Sequence, residues 1–339
     1  MTTHHNISRR SLLQASASMA ASMATITGLP AALAQRAEEP MNLAKIILGS
    51  PAGTLLDLFA RRIADAIQPA YARNIIVENR VGAAGQIAIS AVKVLPADGT
   101  TILLTPSPMM YLYPHTYRKL PYDPVEDFTP VSLGATLDCA LAVGPLVPAS
   151  VKTTPEFFAW CKANPGSASF GSPAAASSPH FAGSMAARAA GVALTHVPYR
   201  GTTPAILDMI GGQIAAVCAP VGDFMPFTEG GKCRVLAVAS SKRSPFMPAV
   251  PTFQEQGYKD IILSDWFGFF VAAKTPAAHV QRLNTAIKNA LATPAVVKTM
   301  KDRGLEPRWS TSAELAARLK SETQHWQPIV KAFNFTAES

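Results

Sequence analysis

Short apolar runs alternate with longer stretches of helical spacing along most of this chain. Residues 44–48 form a mainly apolar run that stops at Gly49 and predicts a buried strand. Leu58, Phe59, Ile63 and Ile67 then recur at helical spacing across residues 57–67. Residues 75–78 and 101–105 read as further strands, so this part predicts the strand–helix–strand rhythm of a parallel sheet. The rhythm returns later. A helix over 151–164 is opened by Thr154-Pro155, a cap followed by a first-turn proline. A strand at 168–170, a helix over 179–190 and a strand at 195–197 follow, then a helix opened by Thr203-Pro204 and closed at Gly211-Gly212, then a strand at 235–239. The last third predicts helices. Val280, Leu283, Ile287 and Leu291 share one face of 276–292. Thr311-Ser312-Ala313-Glu314 is a capping box ahead of Leu315, Leu319, Trp326, Val330 and Phe333. These stripes are expected to be core packing.

Composition narrows the class. A chain of 339 residues predicts two domains, and 48% hydrophobic against 15% charged residues excludes disorder and coiled coil. The 28 prolines exceed the usual share of about 5% and fit many short elements with sharp stops. The net charge of +8 is spread out, as in Arg61-Arg62 and Lys242-Arg243, without a basic stripe interleaved with aromatics. Nucleic acid is therefore not an expected partner.

Ser8-Arg9-Arg10-Ser11-Leu12-Leu13 is a twin-arginine pattern, followed by an uncharged stretch over residues 11–35 and by Ala32-Leu33-Ala34 at the cleavage position. Together these predict an export signal over residues 1–34, cleaved near Ala34. Gly28, Pro30 and many Ser and Thr residues make the segment too polar for a membrane anchor. Cleavage removes Arg9 and Arg10 and lowers the +8 by two. No later window of about 18 apolar residues occurs, so a soluble periplasmic protein is expected. Cys139, Cys161, Cys218 and Cys233 match no metal or redox spacing and could pair in three ways. Their apolar surroundings favour buried free thiols.

Candidate chemistry gathers in loops that follow strands and open helices. Gly49-Ser50-Pro51-Ala52-Gly53-Thr54 is the first. Glycines let backbone N–H groups approach a ligand, and a helix N-terminus carries partial positive charge. Thr54 with Asp57 also fits a local helix cap, which accounts for that pair but not for the glycines. The loop is neither GxGxxG nor GxxxxGKS/T, so dinucleotide and P-loop chemistry lack support. In Gly171-Ser172-Pro173-Ala174-Ala175-Ala176-Ser177-Ser178, Ser178 fits a cap before Pro179, leaving the Ser172 and Ser177 hydroxyls for a ligand. Plain N-capping is the simpler alternative. Thr105-Pro106-Ser107 and Tyr199-Arg200-Gly201-Thr202-Thr203 add two more polar loops. Such loops at strand ends in two α/β halves point to a crevice for a small anion.

Catalysis finds little support. There is no GxSxG elbow, and His115, His180, His196, His279 and His325 show no metal-ligand spacing. His180 lies near Ser177 and Ser178, but neighbours across a helix start rarely reach nucleophile–base geometry. A cap or cleft histidine is expected there. No catalytic residue, metal or cofactor is assigned.

Several ordered motifs then carry a resemblance. Val77-Glu78-Asn79-Arg80-Val81-Gly82-Ala83-Ala84-Gly85 resembles the VENRPGAGG segment of the tripartite tricarboxylate transporter substrate-binding proteins, the Bug receptors. Pro96-Ala97-Asp98-Gly99-Thr100-Thr101 fits their next motif, and Leu120-Pro121-Tyr122-Asp123-Pro124 with Asp127-Phe128-Thr129-Pro130-Val131 is close to their LPYDPVKDFxPV. Asn164-Pro165-Gly166, Val197-Pro198-Tyr199-Arg200-Gly201 and Asp265-Trp266-Phe267-Gly268 also match, so the likeness covers about residues 43–333. It implies a type II periplasmic-binding-protein fold of two α/β lobes: residues 41–141 with 265–339, and residues 142–264. It implies a monomeric extracytoplasmic receptor that hands a small organic acid to the membrane subunits of a tripartite tricarboxylate transporter. A periplasmic ligand sensor and an exported hydrolase using Ser177 and His180 are the alternatives.

Carried over, the ligand-binding positions are Ser50, Pro51, Ala52, Gly53, Thr54, Ser107, Met109, Ser172, Ala175, Ser177, Ser178 and Ala219. Two departures bear on the ligand. Gly53-Thr54 stands where the family commonly has Gly-Gly, and Ala219 is the expected equivalent of a family aspartate. Without that carboxylate, and with Ser107-Pro108-Met109-Met110-Tyr111 bulkier than usual, a carboxylate with an apolar or aromatic remainder is expected.

Overall fold

The computed structural model describes residues 40–337; the export signal expected over 1–34 lies outside them. The described chain opens with β1 (Met41–Leu48), α1 (Leu55–Tyr71), β2 (Ala72–Asn79), α2 (Gln86–Lys93) and β3 (Thr101–Pro106). Two single turns, α3 (Pro108–Tyr111) and α4 (Tyr113–Thr116), lead to the long strand β4 (Phe128–Val143). Then come α5 (Thr154–Ala163), β5 (Ser169–Ser172), α6 (Ser178–Ala189), β6 (Thr195–Pro198), α7 (Thr202–Ile210), β7 (Ala216–Pro220), α8 (Val221–Thr228) and β8 (Arg234–Val238). β9 (Ser264–Ala272), α9 (Ala277–Ala292), α10 (Pro294–Lys301), β10 (Glu306–Pro307) and α11 (Ser312–Phe333) complete it.

β4 belongs to two sheets in turn. From Phe128 to Asp138 it runs antiparallel to β9, and β9 pairs in turn with β3 of the parallel trio β2-β1-β3. From Cys139 to Val143 it pairs with β7, which leads into the parallel β5 and β6, while β8 takes its other edge. The switch falls between Asp138 and Cys139, and the chain returns at Ser264 opposite Asp138. Two α/β lobes therefore share one pair of crossing strands.

Each lobe buries both faces of its sheet. Ala44, Ile46 and Leu48 of β1 pack with Leu56, Phe59, Ile63 and Ile67 of α1, and Ile47, pointing the other way, packs with Ala88 and Val92 of α2. A strand covered on both faces reads as a continuous apolar run. Several predicted boundaries shift by a residue. The cap of α5 is Thr153, in a capping box with Glu156, rather than Thr154. Ser177, not Ser178, caps α6. The Thr311–Glu314 capping box opens α11 as expected.

α11 ties the lobes together a third time. Its first turn is held where Ser312 Oγ donates to Pro130 O, and its far end meets α6. There Trp326 packs edge-on to Phe181, Arg188 donates to Ala332 O, and Phe333 and Phe335 close over Phe181. All four cysteines are buried free thiols, as their apolar surroundings predicted. Among the described residues no helix is long and apolar enough to cross a membrane.

Candidate functional site

A cavity of about 700 Å³ is lined from both lobes. The loops after β1 and β2 and the turn after β3 supply one side, and the loops after β5, β6 and β7 the other. The N-cap residues of five helices border it: Thr54 of α1, Gly85 of α2, Ser177 of α6, Gly201 of α7 and Pro220 of α8. First-turn amides lack acceptors within their own helices, so these ends gather N–H donors and partial positive charge around one space. Leu137, Asp265 and Phe267 of the crossing strands also border it.

The first loop is built by Asp57. Gly53 takes φ +80 and donates its N–H to Asp57 Oδ2 at 2.9 Å, while Thr54 Oγ1 donates to Pro51 O at 2.8 Å. Arg61 and Asn79 donate to the same carboxylate, and Asn79 also donates to Ser50 O. Burial acts to raise the Asp57 pKa, but Arg61, the Gly53 N–H and Asn79 outweigh it and hold the group below its usual range. Asp57 is thus a cap for the loop, working through Gly53 instead of through Thr54. Gly49 in β1's exit touches Gly85, which brings the second loop alongside. In that loop Ala83 and Ala84 take φ of 44° and 50°, a left-handed conformation that costs an alanine energy.

The opposing loop is organised by two histidines. Ser177 Oγ donates to Ala174 O at 2.7 Å and accepts from the His180 N–H. Ser172 Oγ donates to Ala174 O and lies 2.7 Å from His196 Nε2. With its one proton spent on the carbonyl, Ser172 accepts from the Nε2–H. His180 Nδ1 accepts from the Ala176 N–H, and the two imidazoles stack with centroids 3.8 Å apart. Burial holds His180 neutral, with a pKa lowered to about 4, and burial plus His180 lowers His196 to about 3. His180 braces the loop: its Nδ1 is taken by the Ala176 N–H, and the Ser177 hydroxyl donates to Ala174 O and meets the His180 backbone, not its ring, so the pair lacks nucleophile–base geometry.

The expected positions separate into two groups. Ser50, Pro51, Gly53, Thr54, Met109, Ala175 and Ser177 border the cavity. Ala52, Ser107, Ser172, Ser178 and Ala219 are not among its lining residues. The Ser172 and Ser177 hydroxyls, expected free, are both spent on Ala174 O. Ser107 and Ser178 are fully buried and hydrogen-bond Asp265 Oδ1, at 3.1 and 2.7 Å. Ala219 lies within β7, and Asp223, four residues further on, presents a carboxylate to the cavity. A carboxylate thus stands close to the position at which Ala219 replaces the family aspartate. Burial raises Asp223 to about 6 against a hydrogen bond from Thr202. Arg200, Arg303 and Asp265 were also missed as lining residues; of these, Arg200 and Asp265 sat inside quoted motifs without a role.

Among the described residues no group of three or more His, Cys, Asp or Glu side chains could hold a metal ion. Two α/β lobes joined by crossing strands, with a cavity ringed by helix N-termini, define a solute-binding protein of the periplasmic-binding-protein class. The model of the tripartite tricarboxylate transporter family receptor matches residues 59–335, and the chain belongs to that family. It is an extracytoplasmic receptor for small organic acids that feeds a transporter of this type, and not an enzyme. The UPF0065 protein in the tcbD-tcbE intergenic region of Pseudomonas sp. (strain P51) is 33% identical over 293 residues, 85% of each chain. A structure of a periplasmic transporter superposes with TM-score 0.81 at 32% identity, covering 88% of this chain and 99% of that one. Rpa4515 of R. palustris, solved with adipate, gives TM-score 0.81 at 27% identity over 86% of this chain and 97% of its own.

Proposed function

We propose that the receptor grips one ligand carboxylate at the ring of helix N-termini and lays the rest of the ligand against the apolar wall. The convergence of five N-cap residues on one cavity carries this reading. Ser50, Pro51, Gly53 and Thr54 form one jaw, with Ala52 in the same loop; Ala175 and Ser177 form the other. Ser107, Ser172, Ser178 and Ala219 support the jaws from behind. Met109, Leu137, Ile206 and Phe227 offer apolar contact to the remainder. Asp223 gives that wall one polar point, so a ligand carrying a hydroxyl or ammonium fits beside a purely apolar one.

The closing bodies are residues 41–141 with 265–339, and residues 142–264. Their closure buries the ligand and makes the shape the transporter's membrane subunits read. Residues 1–34 are the twin-arginine signal, and the mature receptor acts as a monomer in the periplasm. Calorimetry of the mature protein with benzoate, adipate, malate and aspartate tests the ligand class. Saturable binding of at least one acid, lost in Gly53→Pro, is expected. A folded protein that takes up none of the four overturns the assignment.

A further inference from the structure

Asp265 sits on β9 where the chain crosses between lobes, 8% exposed, and is one of the residues that line the cavity. Three hydroxyls converge on one of its oxygens. Ser178 donates to Oδ1 from α6 at 2.7 Å, Ser107 from the end of β3 at 3.1 Å, and Tyr111 from α3 at 3.3 Å while also contacting Ser178. Among the described residues no donor reaches Oδ2. A carboxyl with one oxygen saturated by donors carries any proton on the other. An anion entering this low-dielectric space meets the Asp265 charge unless that charge is neutralised.

We infer that Asp265 is a specificity-determining residue that takes a proton when the ligand arrives and donates its Oδ2–H to the captured carboxylate. The receptor therefore binds acid anion and proton together. This rests on the carboxylate reading of the cavity. The proton comes from solvent, and no bond other than O–H is formed or broken.

The surroundings agree. Burial raises Asp265 to about 6, with Glu322 of α11 adding to the rise and the three hydroxyls opposing it. Glu322 itself is held by Trp266 Nε1 and Arg318. Tyr111 and Cys139, the other titratable neighbours, are pushed further above their ordinary range and stay neutral. Across the cavity stand Asp223, Arg200 and Arg303. An ordinary carboxylate–receptor pair would be indifferent to pH between 6 and 8, because both partners keep their charge.

Benzoate, ionised throughout this range, is the probe. Titration calorimetry of the mature receptor at pH 7.5 in two buffers of different ionisation enthalpy reads the protons taken up. About one proton per benzoate is expected, with affinity falling about tenfold per pH unit above 7. Asp265→Asn keeps a donor but cannot titrate; it should bind with no proton uptake and no pH dependence. Glu322→Gln, at a position behind Trp266 and outside the cavity lining, should keep the uptake. Benzoate binding without proton uptake in the wild type, or uptake that survives in Asp265→Asn, overturns the inference and leaves the carboxylate reading intact. Should benzoate not bind, whichever of adipate, malate and aspartate does bind serves as the probe in its place; binding of none of the four at any pH overturns both. Should Asp265→Asn misfold by circular dichroism, the two-buffer measurement on the wild type decides alone.

Discussion

Gly49 and Gly85 touch backbone to backbone: a β-carbon on Gly49 would stand 2.6 Å from Gly85 Cα. The contact joins the loop after β1 to the loop after β2, and both border the cavity. Gly49→Ala must push them apart. Overpacking of this kind costs about 1–3 kcal/mol, so a lowered Tm and weaker acid binding are expected together. A variant with wild-type Tm would show that the loops yield freely.

Asp57 gathers the Gly53 N–H, Arg61 and Asn79 on one buried carboxylate. Asp57→Ala takes the charged acceptor from the Gly53 N–H and one of the two acceptors from the Asn79 amide, which keeps Ser50 O; loss of a hydrogen bond to a charged group costs about 1.5–3 kcal/mol. Urea denaturation should show the loss. Calorimetry should show a larger drop in affinity than stability alone explains, because the first jaw loses its shape.

Ala84 takes φ 50 without the freedom of glycine. Relief of left-handed strain, about 1–2 kcal/mol, outweighs the flexibility that glycine adds to the unfolded chain, about 0.5–1 kcal/mol. Ala84→Gly should therefore raise Tm by a few degrees in a thermal melt. A fall would mean that the Tyr113 hydroxyl bond to Ala84 O needs the alanine.

His180 and His196 are lowered from 6.5 to about 4 and about 3, chiefly by burial. Folded, they stay neutral where the unfolded chain binds protons, so their contribution is complete above pH 6.5 and is lost as pH falls towards 4 and 3. Asp265 and Asp223, raised from 3.8 to about 6, act in the opposite sense: the folded state holds their protons between those values, and stability drops as pH rises through that window. His196→Asn keeps a partner for Ser172 and removes one titrating ring. Between pH 6.5 and 4 its melting temperature should fall less steeply than that of the wild type. Equal slopes would place the acid sensitivity elsewhere.

The two loop serines should part company. Ser177 borders the cavity and caps α6, whereas Ser172 is wholly buried. Ser177→Ala is expected to cost about 1 kcal/mol of stability through the lost cap and to weaken acid binding as well. Ser172→Ala should lower stability with a smaller change in affinity. The reverse order in calorimetry would put the Ser172 hydroxyl on the ligand.

The sequence shows β1 clearly as an apolar run stopped by Gly49, and α1 and α11 as regular buried stripes. Ile46 and Leu48, or Leu315 and Leu319, announce their partners by spacing alone. β4 and β9 escaped because Pro130, Gly134 and Asp138 interrupt the apolar run of β4 and Gly268 that of β9. The polar loops were found as loops, since glycine, serine and proline mark strand exits. Their internal assignments were not. Whether Ser172 faces a ligand or His196 depends on residues that are distant in sequence. Asp265 gains its meaning only when Ser107 and Ser178, 158 and 87 residues earlier in the chain, fold onto it. No local pattern encodes that meeting.

Leu103 of β3 pairs with Phe270 of β9, and the whole second lobe is synthesised between them. On the ribosome the parallel trio β2-β1-β3 can form early, yet β3 must wait with a bare edge until residues 264–272 emerge. An unpaired strand edge is a template for wrong partners. The half of the receptor that begins first is thus the half that finishes last, and its most hazardous moment in life comes before it is fully made.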